Sequence, residues 1–384
     1  MLNTPFSPWP SFTAEEAAAV SRVLLSNKVN YWTGQECREF EKEFAAWCGT
    51  TRAIALHNGT VALDLALIAA GIKAGDEVVV TPRTFLASAS SIVFVVVDAD
   101  SQNITAQTIA QVLTSKTRAI ICVHLAGWPC EMTAINDLAK AHNLIVIEDC
   151  AQAHGATYKG QAVGGLADAA AWSFCQDKIM TTGGEGGMLT TNNEALWSKA
   201  WSYKDHGKSW DAIYNKEHPS GFRWLHETFG TNWRMLEMQA VVGRIQLKRM
   251  TDWHTARTHN ATQILSACAK SHALRVPVVP DYIEHAWYRA YAFVRPEALA
   301  NGWSRDRILA EINAAGVPCY SGSCSEVYLE KAFDDTPWRP TERLPVAKKL
   351  GETSLMFLVH PTLTAAEVDK TCDVVQSVMQ RASR

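Results

Sequence analysis

The sequence predicts an α/β protein, a large domain on a mostly parallel sheet with helices over both faces followed by a small C-terminal α+β domain. Three observations carry that prediction. Apolar runs such as "DEVVVTP", "RAIICVH" and "LIVIEDC" are separated by helical stretches such as "TAINDLAKAHN", and strands apolar throughout belong to parallel sheets covered on both faces. At 384 residues and 47% hydrophobic, the chain is long enough for more than one core. Beyond about residue 275 the pattern turns mixed, "YRAYAFVRP" and then "SRDRILAEINAAGVP". The division is expected at residues 1–250 and 251–384.

The elements follow in order. "SFTAEEAAAVSRVLLSN" sets Thr13 three residues before Glu16, a capping box, and continues with Val20, Val23 and Leu24 at helical spacing. "HNGTVALDLALIAAG" reads as a helix from about Gly59 to Gly71, and "DEVVVTP" as a short buried strand ending in a turn at Pro82. "RAIICVH" and "LIVIEDC" are the next strands, and in such sheets ligands sit beyond the carboxyl ends, where Asp149 is placed. From Asp205 to Asn232 run 28 polar and aromatic residues without clear periodicity, longer than the ~12–15 residues of an ordinary loop and therefore a functional segment. "LEMQAVVGRIQLKRMTDWHTARTHNATQILSAC" then reads as one long helix.

Composition excludes several classes. With 36 basic and 39 acidic residues interspersed and a net charge of -3, no basic stripe is available for a phosphate backbone, so no nucleic-acid partner is expected. No apolar run approaches the ~18 residues of a membrane span, and "MLNTPFSPWP" lacks the pattern of a secretory signal, so the expected location is the cytoplasm with no membrane partner. Ten cysteines occur without a CxxC pair, and Cys319 and Cys324 in "CYSGSC" lack nearby histidines, so no metal site is expected.

Within "SFCQDKIMTTGGEGGM", Ser173 to Met188, a single lysine precedes a glycine-rich run. The order matches neither the GxGxxG nor the GxxxxGK[ST] phosphate motif. A lysine amine whose charge is destabilised attacks carbonyls, and glycines let a flat ring approach the backbone, which suggests a Schiff base at Lys178. Pyridoxal phosphate as the partner requires a carboxylate for its ring nitrogen, a phosphate cup and a flat side chain for stacking. Asp149, ending a buried strand where an unpaired charge costs several kcal/mol, is the candidate carboxylate. Gln152 lies within reach of the ring hydroxyl, or else serves local backbone groups. "NGT" at Asn58–Thr60 opens a helix whose free amides favour an anion, or is a plain turn and cap. Ser173 offers a second hydroxyl, and Phe85 in "TPRTFLASAS" is the candidate for stacking.

The stretches "HNGTVALDLAL", "TPRTFLASA", "VIEDCAQAHGA", "SFCQDKIMTTGGEGGM" and "GTNWRMLEMQAVVGRIQLKRM", in order over nearly the whole chain, resemble the PLP-dependent nucleotide-sugar aminotransferases of the DegT/StrS group. That resemblance implies fold type I, with a seven-stranded type of sheet in the large domain. It implies Lys178 as the Schiff-base lysine, Asp149 as partner of the pyridine nitrogen, Gln152 at the ring hydroxyl, Phe85 stacked on the ring, and Gly59, Thr60 and Ser173 around the phosphate. Asn232 would reach the phosphate in a neighbouring subunit, making the protein a homodimer with shared sites. Tyr31 and Trp32 in "VNYWTGQE" and His285 in "EHAWYRAYAF" resemble segments bordering the sugar.

The implied reaction moves the amino group of L-glutamate to a nucleotide-linked 4-keto-6-deoxy-sugar for surface polysaccharide or O-antigen synthesis. The same scaffold would alternatively serve a PLP-dependent sugar dehydratase, in which some relatives replace the lysine by histidine, or a PLP-binding regulator. One departure stands out: "ASASSIVFVVVDADSQN" lacks the Gly- and Pro-containing turn usual in the family, with about half a dozen residues missing.

Overall fold

The computed structural model describes residues 5–84 and 91–384. The apolar runs pair as the central sheet of seven strands, in the order Arg52–Leu56, Gly187–Thr191, Ala169–Ser173, Ile145–Asp149, Thr117–Val123, Glu77–Val80, Ser91–Phe94. Gly187–Thr191 runs against both of its neighbours, and the remaining pairings are parallel. The parallel strands are buried nearly throughout, as their unbroken apolar character predicts. Their carboxyl ends therefore share one edge of the sheet, with Leu56, Val123, Asp149 and Ser173 side by side across it.

The helices show which local signals decided their ends. Ala14–Leu25 begins with the expected capping box, the Thr13 N–H donating to Glu16 Oε2 at 2.7 Å. Gly59–Ala69 begins at Asn58, whose Oδ1 accepts the Val61 N–H at 2.9 Å. Glu36–Cys48 is a helix that the sequence reading leaves out; it lacks a capping side chain, but it buries Cys37, Phe40, Phe44 and Cys48 on one stripe and ends at Gly49 with φ +71°. The segment expected as one long helix is two, Glu237–Leu247 and Met250–Ala269. Between them the Arg249 N–H closes a tight turn onto the Gln246 carbonyl at 2.9 Å, and the Arg249 guanidinium reaches Glu15 at 2.7 Å and Glu16 at 3.2 Å. Those tertiary bonds override a helical pattern that runs through the break. The long segment from Asp205 to Asn232 holds the short helix Trp210–Tyr214, and Phe222, Trp224 and Phe229 in it are 75%, 82% and 99% exposed.

The C-terminal part forms a four-stranded antiparallel sheet, Leu274–Arg275, Ala290–Val294, Ser354–Phe357, Cys319–Tyr320. Met250–Ala269, Arg305–Ala314 and Ala365–Ala382 supply its helices, and Phe6 from the N-terminal segment packs on the same core. Among the described residues no helix is long and apolar enough to cross a membrane.

Candidate active site

At the carboxyl edge of the sheet lies a cavity of about 470 Å³ whose lining includes Gly59, Thr60, Asp149, Ser173, Asp177 and Lys178. Three short connections supply these residues. After Arg52–Leu56 the chain turns into the helix capped by Asn58, and because the cap takes the Val61 N–H, the Gly59 and Thr60 amides are left at the mouth of the helix, where an anion is favoured. The close approach here depends on glycine: a Cβ on Gly59 would lie 2.6 Å from Ser173 Cβ, and one on Gly187 would lie 2.2 Å from the Asn58 carbonyl oxygen.

Asp149 ends its strand with Oδ1 accepting the Ala151 N–H at 3.0 Å. Burial pushes its carboxyl above the usual range, against the opposing pull of that N–H, Lys178 and His124. A carboxylate in that state is stabilised by a cation at the cavity. A second cavity of about 470 Å³, lined in part by Arg38, Arg52, Glu41 and Trp201, makes a useful contrast. Its acid, Glu41, faces more partners than Asp149, the Ala55 N–H at 2.9 Å, the Tyr31 hydroxyl at 3.2 Å and the Lys204 ammonium at 3.9 Å, although burial holds its carboxyl above the usual range as well. The first cavity joins the under-compensated Asp149, Lys178 and the N-terminus of the helix Gly59–Ala69.

Lys178 stands in the loop 174–186, which links the antiparallel neighbours Ala169–Ser173 and Gly187–Thr191. The Phe174 N–H donates to the Gly186 carbonyl at 2.8 Å and closes the base of this loop. The chain reverses through Gly183 and Gly184, at φ +89° and +124°, values costly for any residue with a Cβ. The Lys178 Nζ is 3.6 Å from Asp177 Oδ1 and 5.2 Å from the centre of the Tyr288 ring. Asp177 in turn accepts the Tyr288 hydroxyl and lies 3.8 Å from Arg289. Burial raises the Asp177 carboxyl, but Lys178, Tyr288 and Arg289 together outweigh it and hold the group below the usual range.

The remaining sequence-predicted residues fall elsewhere. Gln152 does not line the cavity; its Oε1 accepts the Ala126 N–H at 2.7 Å, leaving the amide nitrogen as its donor end. Phe85 lies outside the described residues. Asn232 is exposed and pairs with Asp205 in an isolated bridge away from the cavity of its own chain. Tyr31 is fully buried beside Glu41, and Trp32 packs edge-on against Trp201, with ring centres 6.1 Å apart. His285 is buried, accepts the Trp287 N–H on Nδ1 at 2.8 Å and is pushed by burial and by His254 to about 3, so it is neutral. Asp177, Cys175 and Glu185 line the cavity without having been singled out; their nearness to Lys178 in sequence was the available signal.

Among the described residues one buried group combines His, Cys and carboxylate ligand types, namely His124, Glu148 and Cys150. Its polar atoms are committed to the fold. His124 Nδ1 accepts the Cys130 N–H at 3.0 Å, so Nε2 carries the proton toward Glu148 Oε2 at 3.0 Å, and Glu148 also accepts the Gly164 and Leu166 N–H groups at 3.0 and 2.8 Å.

Comparison with known proteins places this geometry. The profile of the DegT/DnrJ/EryC1/StrS aminotransferase family matches residues 10–376. GDP-perosamine synthase of Caulobacter vibrioides is 35% identical over 353 residues, 89% of each chain. The dTDP-3-amino-3,4,6-trideoxy-alpha-D-glucose transaminase of Streptomyces venezuelae is 32% identical over 379 residues, covering 97% of this chain and 94% of its own. The solved structure of an aminotransferase from Psychrobacter cryohalolentis superposes with a TM-score of 0.97 at 63% identity, covering 98% of this chain and 99% of its own.

Proposed function

This chain belongs to the DegT/DnrJ/EryC1/StrS aminotransferase family, and from that membership we propose that it transfers the amino group of L-glutamate to a nucleotide-linked 4-keto-6-deoxy-sugar. It is a fold type I aminotransferase of nucleotide sugars, and its cofactor is pyridoxal 5′-phosphate. The amino-sugar formed serves surface polysaccharide synthesis, including O-antigen. One observation carries the transaminase chemistry: Lys178 and the under-compensated Asp149 share a cavity floored by the N-terminus of the helix Gly59–Ala69.

The residues fit the cofactor. Asp149 is the anion that a protonated ring nitrogen would neutralise, and the Gly59 and Thr60 amides with the Thr60 and Ser173 hydroxyls form a cradle for a phosphate. When bound, the cofactor supplies a ring that takes up the electron pair left at an amino-bearing carbon. Asp149 would hold the proton on the ring nitrogen. Lys178 is the amine that would bind the cofactor carbonyl, and its Nζ would move a proton between the two sides of the reacting C–N unit. Asp177, tied to Tyr288, gives that ammonium a place to rest.

The same reading makes the protein a cytoplasmic homodimer with shared sites. Phe222, Trp224 and Phe229 are exposed aromatics on the long segment, of the kind that a second copy covers, and the exposed Asn232 at its end would reach a neighbouring phosphate. Mixing inactive Lys178→Ala with inactive Asn232→Ala subunits is expected to restore about a quarter of wild-type activity per site through hybrid dimers, given random assortment into closed pairs. A mixture no more active than its parents sinks the shared site.

The donor and acceptor are tested by absorbance. The purified protein with pyridoxal phosphate is expected to show a visible band that L-glutamate removes and a nucleotide-linked keto-sugar restores, with 2-oxoglutarate and an amino-sugar as products. A band indifferent to L-glutamate but removed by another amino acid excludes this donor. Release of a dehydrated sugar without net amino transfer identifies the dehydratase instead.

A further inference from the structure

The peptide units on both sides of the Lys178 α-carbon are tied down. The Lys178 N–H donates to the Cys175 carbonyl at 3.1 Å, and the Lys178 carbonyl accepts the indole N–H of Trp9 at 2.8 Å. A residue has two soft backbone dihedrals. Fixing the plane before the α-carbon and the plane after it fixes both, and with them the direction in which the Cα–Cβ bond leaves the chain. The first of these bonds is local to the loop, but the second comes from 169 positions away in sequence.

The Trp9 ring is itself aimed. Trp253 meets it edge-on at 5.1 Å and 85°, His360 lies over it at 6.0 Å and 19°, and the fully buried Arg257 guanidinium sits 5.1 Å from its centre. The segment carrying it is moored to the C-terminal domain. The Thr362 hydroxyl donates to the Pro8 carbonyl at 2.8 Å, the Ser7 hydroxyl to Glu367 Oε2 at 3.1 Å, and Phe6 packs on the small-domain core. All of these contacts act together to hold one N–H donor on the backbone oxygen of one lysine.

We propose, on the reading of Lys178 as the cofactor-binding lysine, that Trp9 is a positioning residue for the reaction: it orients the Lys178 amine through the Lys178 carbonyl and makes that orientation depend on the small domain. Trp9 touches neither cofactor nor substrate in this role. A merely structural Trp9 would contribute packing alone, and the two roles separate by substitution. Trp9→Phe keeps an aromatic ring between Trp253, His360 and Arg257 but removes the donor. Trp9→His returns a nitrogen to the same place, since imidazole Nε2 and indole Nε1 are equally many bonds from Cβ.

The experiment uses the full-length enzyme loaded with pyridoxal phosphate. It records cofactor stoichiometry, visible circular dichroism of the bound cofactor, melting temperature, and the single-turnover rate and half-saturation with L-glutamate. Trp9→Phe is expected to keep the stoichiometry, the half-saturation and the melting temperature, while the single-turnover rate falls about tenfold, the scale of a sub-ångström misplacement. Its visible dichroism is expected to weaken, and Trp9→His to recover part of both. A Trp9→Phe enzyme with wild-type rate and dichroism overturns the role of Trp9, as does a rate loss tracked wholly by melting temperature in both variants. A wild-type protein that takes up no pyridoxal phosphate overturns the reading of Lys178 and the role of Trp9 with it.

Discussion

Lys178→Ala is expected to lose turnover by a factor of at least ~10⁴ while still binding pyridoxal phosphate. On the proposed reading the amine has two jobs, capture of the cofactor carbonyl and proton transfer, and the second alone is worth ~10²–10⁴. The Gly59 and Thr60 amides are held by their helix and Asp149 by its strand end, so on the proposed reading the phosphate and ring nitrogen would keep their partners, although Asp149 loses the pull of Lys178. The neighbourhood tolerates the loss of the ammonium as well, because Asp177 retains the Tyr288 hydroxyl and Arg289 at 3.8 Å. The checks are steady-state rate and cofactor content after gel filtration, with free methylamine added to supply a small amine. A Lys178→Ala protein turning over at the wild-type rate removes Lys178 from the chemistry.

Asp149→Asn is expected to lower the catalytic rate by ~10²–10³, the scale seen when one preorganised electrostatic partner is removed. The cofactor-free protein should become more stable at the same time. Burial raises the native Asp149 carboxyl above its ordinary value, so the native state binds this proton more tightly than the unfolded chain. The cost of the charged form is absent below the unfolded value near ~3.9, grows as pH rises through the raised native value, and is complete above it. At neutral pH the substitution is expected to raise the melting temperature of the cofactor-free protein by ~1–2 °C, and at pH below ~3.9 to leave it unchanged. With cofactor bound the order reverses, since the ring nitrogen then has no anion. A variant less stable than wild type without cofactor at neutral pH contradicts the assignment of an under-compensated charge at Asp149.

The features legible in the sequence are those whose placement is decided locally. A strand end followed by Asp149, a capped helix start at Asn58 and a lysine before glycines each carry their meaning within a few positions. The capping box at Thr13 and the apolar strands are of the same kind. The break at Arg249 is not, because it is decided by Glu15 and Glu16 on another helix. Neither is the burial of Tyr31, set by Glu41 and Lys204, nor the link from Trp9 to Lys178. The helix Glu36–Cys48 was legible by its apolar stripe, but its missing cap hid the start.

Because loop 174–186 joins two strands that are neighbours in register, Ser173 opposite Gly187, its ends are fixed a single strand spacing apart and its length is set by nothing else in the sheet. Its interior is tied more widely: Phe174, Ile179 and Met180 are fully buried in the core, the Thr181 N–H donates to Gln246 Oε1 at 2.9 Å and the Lys178 carbonyl accepts from Trp9. Grafting the corresponding stretch of a relative between the same two anchors transplants the lysine, its flanking side chains and those three core residues in one piece. Chimaeras cut at those anchors would let the contribution of the lysine's immediate neighbours be inherited separately from that of the scaffold.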